Sequence, residues 1–261
     1  MLKAIIFDLD DTLLWDEKSV KSAMEATCVK ASEKYGIDPV QLEEIVRKHA
    51  RTIYVSYDTY EFTQMIGINP FEALWGDFTD QGEDFARLHD LVPSYRKEVW
   101  RTSLQDLGIH DEKFANELAA YFPIARKNNP YVYVDTFNVL DQLKEKYRLM
   151  LLTNGSPELQ RIKLDITPEL VPYFEEILIS GDFGKGKPDK GIFEHALDLL
   201  HINKDEALMV GDNLMTDILG ASRTGIKSVW INHHGKEKDE VIPTYEIKSL
   251  GGLLPIIEKL G

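Results

Sequence analysis

Residues 3–13, KAIIFDLDDTL, join a short apolar run to three carboxylates within four positions. The apolar run is typical of a strand that is buried on both faces of a parallel sheet. Asp8, Asp10 and Asp11 follow it directly, although acidic residues are depleted in strands. We therefore expect these carboxylates at the carboxyl edge of the sheet, where open α/β sheets bind their ligands.

Asp8 and Asp10 are expected to share one side of the chain, because successive strand residues point to opposite faces. Two like charges so close together require a cation, a shared proton or both. The alternative is that an Asp after a strand only caps a turn or the next helix. Residues further along the chain favour the first interpretation.

Length and charge limit the classes of protein to consider. The 261 residues suit one large domain or two smaller ones. A net charge of −14 argues against nucleic acid or an anionic membrane as a partner, since both require basic patches. The sequence has neither a signal-peptide pattern at its amino terminus nor an apolar run of membrane-spanning length. We expect a soluble, cytoplasmic protein, and the sequence gives no prediction of its oligomeric state.

Helical periodicity replaces strand patterns over residues 15–126, which predicts an all-helical domain inserted after the first strand. Gly36 is expected to end the first helix, and Asp38-Pro39 to begin the second in the order of cap and then proline. The single cysteine, Cys28, lies on the apolar face of the first helix. We interpret it as a small core residue rather than a nucleophile.

The inserted segment is rich in aromatic residues, which we expect to form the core of this domain. An alternative is that one or two of them line a substrate pocket. Three arginines of the segment are expected at the solvated surface, with the alternative that one reaches an anionic group of a substrate. The aromatic residues are Tyr54, Tyr57, Tyr60, Phe62, Phe71, Trp75 and Phe78, and the arginines are Arg47, Arg51 and Arg101.

Strands alternating with helices return after the inserted segment, which predicts right-handed crossovers and a parallel, doubly wound α/β sheet. We assign residues 1–14 and 127–261 to this sheet domain and 15–126 to the helical one. The charged run from Lys236 to Glu240 predicts a solvated loop. The further strands are expected at 148–152, 176–180, 207–210 and 228–231, with helices at 136–147, 190–200, 215–224 and 253–260.

Polar residues lie at the ends of these strands or in the loops that follow. Each one alone is ordinary turn or cap chemistry. In a doubly wound sheet, however, these ends converge on one crevice, and four polar motifs in this order are hard to assign to chance. Besides Asp8 and Asp10, the residues are Thr153 and Asn154, Lys187 before Pro188, and Asp212 with Asp217.

These motifs together resemble those of the haloacid dehalogenase-like (HAD) hydrolase superfamily. The resemblance implies a Rossmann-like catalytic core with an inserted helical cap. The carboxyl-terminal half is most similar to nucleotidases, sialic acid phosphate phosphatases and phosphoserine phosphatases, which implies hydrolysis of a small phosphate monoester. The matching residues are DLDDT at 8–12, LLTNG at 151–155, Lys187-Pro188, and Gly211-Asp212 with Asp217.

The resemblance also implies a role for each residue. Asp8 would attack phosphorus and form an aspartyl-phosphate, and Asp10 would give a proton to the leaving oxygen. Mg²⁺ is the implied cofactor, held by the side chains of Asp8 and Asp212 and the backbone carbonyl of Asp10. The phosphate would be bound by Thr153, Asn154 and Lys187, with Thr12 and Asp217 supporting the residues around it.

Asp10 decides between two chemistries of the superfamily. Its dehalogenases replace this residue, because cleavage of a carbon–halogen bond needs no acid for the leaving group. The presence of Asp10 therefore favours phosphoryl transfer. Two departures from the family pattern are Asp11, where Gly is frequent, and residues 131–135, where many relatives have a Pro-Gly turn.

Two alternatives to a phosphatase follow from the same motifs. A phosphomutase of the superfamily would return the phosphoryl group to a sugar, and net phosphate release separates it from a phosphatase. A non-catalytic regulatory protein with this fold would be the natural interpretation if Asp8, Asp10 or Lys187 were missing. All three are present.

Overall fold

The computed structural model describes residues 1–237 and 240–260. Of the charged run that predicts a solvated loop, residues 238 and 239 lie outside the described residues. No helix in the described part of the chain is both long enough and apolar enough to span a bilayer.

The chain divides into two compact units, which we name the sheet unit and the helical unit. The helical unit includes a short segment that follows the second predicted strand, in addition to the inserted residues. The assignment of a catalytic core and a cap to particular residues stays a prediction. The sheet unit comprises Met1–Trp15, Tyr131–Gly155 and the chain from Thr167 onward, and the helical unit comprises Asp16–Pro130 and Ser156–Ile166.

Six parallel strands form one sheet within the described residues, in the order β3-β2-β1-β4-β5-β6. The first strand therefore lies in the middle, with β2 on one side and β4 on the other. This arrangement confirms the predicted doubly wound α/β fold; β6 was not predicted. The strands are β1 (Ala4–Phe7), β2 (Arg148–Thr153), β3 (Glu176–Ile179), β4 (Ala207–Gly211), β5 (Lys227–Ile231) and β6 (Tyr245–Ile247).

Helices make up most of the remaining described chain. In order they are α1 (Asp16–Tyr35), α2 (Pro39–Tyr54), α3 (Tyr60–Ile66), α4 (Pro70–Ala73), α5 (Glu83–Asp106), α6 (Glu112–Lys127), α7 (Thr136–Leu143), α8 (Pro157–Asp165), α9 (Ser180–Phe183), α10 (Lys190–Leu199), α11 (Leu219–Thr224) and α12 (Leu254–Leu260). Short 3-10 helices cover Pro168–Tyr173, Lys204–Glu206 and Leu250–Leu253, and a π-helical turn covers Leu214–Ile218.

Both faces of the sheet are covered, as the all-apolar sequence of β1 predicts. Every residue of β1 is fully buried. Ala4 and Ile6 pack in one apolar cluster with residues of α10 and α11. Ile5 and Phe7 point to the opposite face, since strand residues alternate, and their burial shows that this face is also covered. The strand is therefore held rigidly beneath the acidic residues that follow it.

The helix boundaries of the helical unit follow its capping residues. Gly36 adopts a left-handed conformation after α1, and the Asp38 side chain accepts a hydrogen bond from Val40 N at the start of α2, as predicted. Asn69 and Glu72 form a capping box around α4. Local sequence thus determines where these helices begin and end.

The core of the helical unit contains several of the predicted aromatic residues. Tyr54, Trp75 and Phe78 are buried in one apolar cluster. Cys28 is fully buried in the same cluster. The cysteine is therefore a core residue of α1, as its helical pattern indicates.

A buried ionic cluster joins α8 to the rest of the helical unit. Lys163 Nζ lies 2.8 Å from Glu72 Oε1, and Arg126 donates to Asp16 Oδ1 at 2.6 Å. Burial alone would raise the pKa of Asp16, but the charges of Lys163 and Arg126 outweigh it and lower that pKa. Leu159 of α8 adds apolar contacts with the same core. These contacts explain why α8 belongs to the helical unit.

Candidate active site

Asp8 begins the loop that follows the central strand. Its backbone N–H still donates to Val210 O at 3.0 Å, so β4 fixes its position. The chain then turns, and both Leu13 N and Leu14 N donate to Leu9 O at 3.0 Å. Thr12 Oγ1 donates to Asp8 Oδ2 at 3.3 Å, which places Thr12 beside Asp8. The tight loop holds the carboxylate against the end of the sheet.

Lys187 reaches the same position from the loop before α10. Its ammonium group lies 2.6 Å from Asp8 Oδ1 and 2.7 Å from Asp217 Oδ1. It also donates to Leu152 O at 2.7 Å, a carbonyl at the end of β2. Lys187 is 5% exposed and is followed by a cis peptide bond to Pro188. The buried cation therefore joins the ends of β1 and β2 and the acidic residues after β4.

Asn154 binds the backbone of Lys187 with both ends of its side-chain amide. Lys187 N donates to Asn154 Oδ1 at 2.7 Å, and Asn154 Nδ2 donates to Lys187 O at 2.9 Å. Gly186 permits this approach, because a Cβ there would lie 2.8 Å from Asn154 Oδ1. Asn154 thus positions Lys187, a function that the sequence motif did not indicate. Its predicted role in phosphate binding stays a prediction.

The hydroxyl of Ser180 supports the second motif and was not recognised from the sequence. Gly155 N donates to Ser180 Oγ at 2.8 Å, and Ser180 is fully buried at the start of α9. Thr153, the remaining polar residue of this motif, is 1% exposed at the end of β2. Serine is too common after strands for Ser180 to be singled out from the sequence alone.

Asp212 and Asp217 lie at the end of β4 and in the π-helical turn that follows it. Asn213 N donates to Asp217 Oδ2 at 3.1 Å, which fixes the side chain of Asp217. A Cβ on Gly211 would collide with the same carboxylate, so the close approach requires glycine. Asp217 contacts Lys187 directly, and its supporting role stays a prediction.

Three carboxylates converge at this edge. One oxygen each from Asp8, Asp212 and Asp217 lie within 4.8 Å of one another. Burial raises the pKa of Asp8 to about 6, aided by Asp217 and opposed by Lys187. Burial raises the pKa of Asp212 to about 9, with the charges of Asp8, Asp217 and Asp11 as further causes. Three carboxylates with a single ammonium group favour the binding of a cation.

The ammonium form of Lys187 is strongly favoured. Burial alone would lower the pKa of Lys187, but the charges of Asp217 and Asp8 outweigh this effect and raise it. A permanent positive charge therefore lies against the Asp8 carboxylate. Such a charge can bind an anionic group that approaches Asp8.

Asp10 follows Asp8 by two residues and is half-buried in the same loop, where it forms an isolated bridge with Leu14. The structure thus brings Asp8, Lys187, Asp212 and Asp217 into contact or close proximity, with Asp10 in the adjoining loop. The chemical roles assigned to these residues stay predictions.

Arg51, one of the arginines considered for substrate binding, lines a cavity of about 450 Å³ in the helical unit. The guanidinium group also lies over the Phe71 ring, 5.0 Å from its centroid. Tyr60 and Gln64 line the same cavity. Part of the predicted aromatic set therefore lines a cavity, while Tyr54 contributes to both the cavity and the core.

Known proteins with similar sequences include phosphatases that are named for small phosphorylated molecules. The phosphoserine phosphatase of Thermus thermophilus is 32% identical over 251 residues, which cover 95% of this chain and 96% of the relative. The glyceraldehyde 3-phosphate phosphatase of Pyrococcus abyssi is 33% identical over 264 residues, which cover 99% of this chain and 94% of the relative.

A similar solved structure is that of a HAD hydrolase from Bacillus subtilis bound to magnesium. It matches with a TM-score of 0.66 at 22% identity, over 98% of each chain, and this likeness shows the common fold. The family model for haloacid dehalogenase-like hydrolases matches residues 2–225, which include all four motifs. These findings confirm the predicted family and the predicted class of enzyme. The chain belongs to the haloacid dehalogenase-like hydrolase family.

Proposed function

We propose that this hydrolase is a Mg²⁺-dependent phosphatase that cleaves a small phosphate monoester through an aspartyl-phosphate on Asp8. The observation that carries the proposal is the position of Lys187, 2.6 Å from Asp8 Oδ1, beside a group of three carboxylates. A phosphate monoester is a dianion, so a carboxylate can attack it only where positive charge is supplied. Lys187 supplies one charge, and a bound cation would supply the rest.

The donor set fits Mg²⁺, which prefers hard oxygen ligands in octahedral geometry and retains several waters. Side-chain oxygens of Asp8 and Asp212 lie within the three-carboxylate group. Together with the backbone carbonyl of Asp10, they would hold the ion. Asp217 belongs to the same group but is engaged by Lys187 and by Asn213 N, which suits a supporting role. The ion would neutralise phosphate charge and orient the phosphoryl group.

The chain's own residues perform two transfers in this proposal. Asp8 attacks phosphorus, a P–O bond forms to its carboxylate, and the P–O bond to the leaving group breaks as Asp10 protonates the leaving oxygen. Asp10 then takes a proton from a water that attacks the aspartyl-phosphate. Phosphate leaves and Asp8 is regenerated. Lys187 and Thr153 are proposed to bind phosphate oxygens during both steps, and Asn154 is proposed to do so as well as to position Lys187.

The substrate is proposed to be phosphoserine, a nucleoside monophosphate or a sugar phosphate. Support comes from the relatives, whose names give phosphoserine and glyceraldehyde 3-phosphate as their substrates. Both are compact phosphate monoesters with polar groups close to the ester. A metabolite of this kind is consistent with action in the cytoplasm, which we also propose.

The test is phosphate release from a panel of phosphoserine, nucleoside monophosphates and sugar phosphates, with Mg²⁺ or with a chelator. Selective release that requires Mg²⁺ is the expected result. Asp8→Asn should retain the wild-type circular dichroism spectrum and release no phosphate. Transfer of the phosphoryl group to a sugar without net phosphate release would replace the phosphatase by a phosphomutase. A folded protein that acts on no member of the panel would contradict the proposal.

A further inference from the structure

Strand β5 carries none of the family motifs, yet its Trp230 contacts the loop of Asp212. Trp230 pairs in register with Gly211 of β4 and is 1% exposed. Its indole Nε1–H donates to the backbone carbonyl of Asp212 at 2.7 Å. An indole is only a donor, and a buried N–H without an acceptor is costly, so this bond fixes the Asp212 peptide.

His233, in the turn after β5, makes an equivalent bond to the first acidic loop. Its Nε2 lies 2.9 Å from the backbone carbonyl of Asp11. A carbonyl oxygen only accepts, so Nε2 carries the proton and donates. Asn232 holds the turn in place, because its N–H donates to Ile247 O at 2.7 Å and its Nδ2 donates to Lys236 O at 2.9 Å.

Stacked rings fix the His233 side chain from another direction. The His233 ring stacks on Tyr133 with 4.4 Å between centroids and 8° between planes. Tyr133 in turn stacks on Trp15 at 5.3 Å. The Tyr133 backbone N–H donates to Leu13 O at 3.1 Å, in the loop that begins at Asp8. The imidazole is thus held between the first acidic loop and the segment that contains Tyr133.

The acceptor of the His233 bond belongs to a residue in an unusual conformation. Asp11 has a φ of 54°, in the left-handed region that residues other than glycine adopt at a cost. The hydrogen bond from His233 stabilises this conformation of Asp11 and the peptide bond that joins it to Thr12. A shift of that peptide would move both neighbours, and Thr12 donates directly to Asp8.

We propose that Trp230 and His233 are positioning residues whose ring N–H groups hold the backbone carbonyls of Asp212 and Asp11, and so fix the two acidic loops for cation binding and phosphoryl transfer. The inference rests on the proposed phosphatase function. It predicts that removing either N–H, with the ring retained, impairs the site without unfolding the protein.

Trp230→Phe tests the first bond, because it removes the donor and keeps a buried aromatic ring. We expect Mg²⁺ binding, measured by titration calorimetry, to weaken roughly tenfold, as is found when partners of metal ligands are removed. Trp100→Phe is the matched control: Trp100 is fully buried, and its Nε1 has no hydrogen-bond partner among the described residues. The control should bind Mg²⁺ as the wild type does.

His233→Phe and His233→Gln test the second bond as a pair. Phe keeps a ring to stack on Tyr133 and lacks the donor, whereas Gln places an amide N–H at a similar reach and lacks the ring. We expect His233→Phe to lower kcat roughly tenfold with KM little changed, and His233→Gln to restore most of kcat. If the ring acts only by stacking on Tyr133, His233→Phe should instead have the higher kcat of the two variants.

Unchanged Mg²⁺ affinity in Trp230→Phe, or equal kcat in His233→Phe and the wild type, would overturn the corresponding assignment. Loss of Mg²⁺ affinity that Trp100→Phe reproduces would also overturn the role of Trp230. If the wild type binds Mg²⁺ but releases no phosphate, the proposed function fails. The Mg²⁺ titration of Trp230→Phe would still test whether Trp230 positions the Asp212 loop. Thermal unfolding of each variant checks that the fold is retained.

Discussion

The ammonium group of Lys187 lies 2.6 Å from the Asp8 carboxylate, and their side chains are only 2% and 11% exposed. Water screens such a pair poorly, so each charge depends on the other. Asp217, 2.7 Å from the same ammonium group, adds a second buried negative charge. The pair therefore contributes to the fold as well as to the proposed chemistry.

Lys187→Met should destabilise the metal-free protein, because it leaves the buried carboxylates without a cation. We expect the free energy of unfolding, measured with urea in the presence of a chelator, to fall by about 3–5 kcal/mol. Lys190→Met removes an exposed pair with Glu194 and should cost less than about 1 kcal/mol. Equal losses in the two variants would show that the buried pair has no special importance for stability.

Asp10→Asn should slow the first chemical step, because an amide cannot protonate the leaving oxygen. With an alkyl phosphate, whose leaving group needs a proton, we expect a loss of roughly 10²- to 10⁴-fold. An aryl phosphate with a stable phenolate leaving group should lose much less. Rapid-quench measurement of protein phosphorylation separates this step from hydrolysis of the intermediate. Normal phosphorylation by the alkyl ester would refute the role of Asp10 as the acid.

Mg²⁺ should stabilise the protein more at high pH than at low pH. The raised pKa values of Asp8, about 6, and Asp212, about 9, mean that the metal-free folded protein binds more protons than the unfolded chain. The contribution of these two groups to the free energy of unfolding of the metal-free protein therefore falls as pH rises from about 4 to about 9. A bound cation compensates the ionised carboxylates and releases their protons.

Thermal unfolding between pH 5 and pH 9 provides the measurement. The increase in Tm on adding Mg²⁺ should be small at the acidic end and grow with pH. Asp212→Asn, which cannot ionise, should remove most of that growth. An increase in Tm that does not depend on pH would contradict the electrostatic account of the cluster.

Cys28 should be unreactive in the folded protein. Burial raises the pKa of its thiol to about 12, with the charge of Glu43 as a smaller cause, so almost no thiolate exists at pH 8. We expect no reaction with an aromatic disulfide reagent in buffer and one thiol per chain in denaturant. Reaction of the native protein at the rate of a small-molecule thiol would show that α1 opens readily.

The pattern of buried apolar runs was sufficient to predict the central part of the sheet. β1 to β5 lie at the predicted places, because each is a short apolar segment bounded by turn residues. β6 was missed, since Tyr245–Ile247 has only three residues and lies at the sheet edge, where little burial is needed. The predicted helix from 215 to 224 instead begins with a π-helical turn, a feature frequent at functional sites.

The acidic and basic residues of the site were recognisable because each follows a strand or precedes a helix in an ordered set of motifs. Three residues that contact the loops around them were not. Ser180, Trp230 and His233 form hydrogen bonds with backbone atoms distant in sequence, and no local pattern marks such a bond. The packing of α8 with the helical unit depends likewise on contacts between Lys163 and Glu72, 91 residues apart.

The central claim is that Asp8 forms a covalent bond to phosphorus, and trapping that bond tests it most directly. Turnover should be quenched with borohydride, which reduces an aspartyl-phosphate to homoserine and releases phosphate. Mass spectrometry of the peptide that contains residue 8 should then show homoserine at that position, only when substrate and Mg²⁺ are both present. An unmodified Asp8, or homoserine at another aspartate, in a sample that is releasing phosphate would contradict the account.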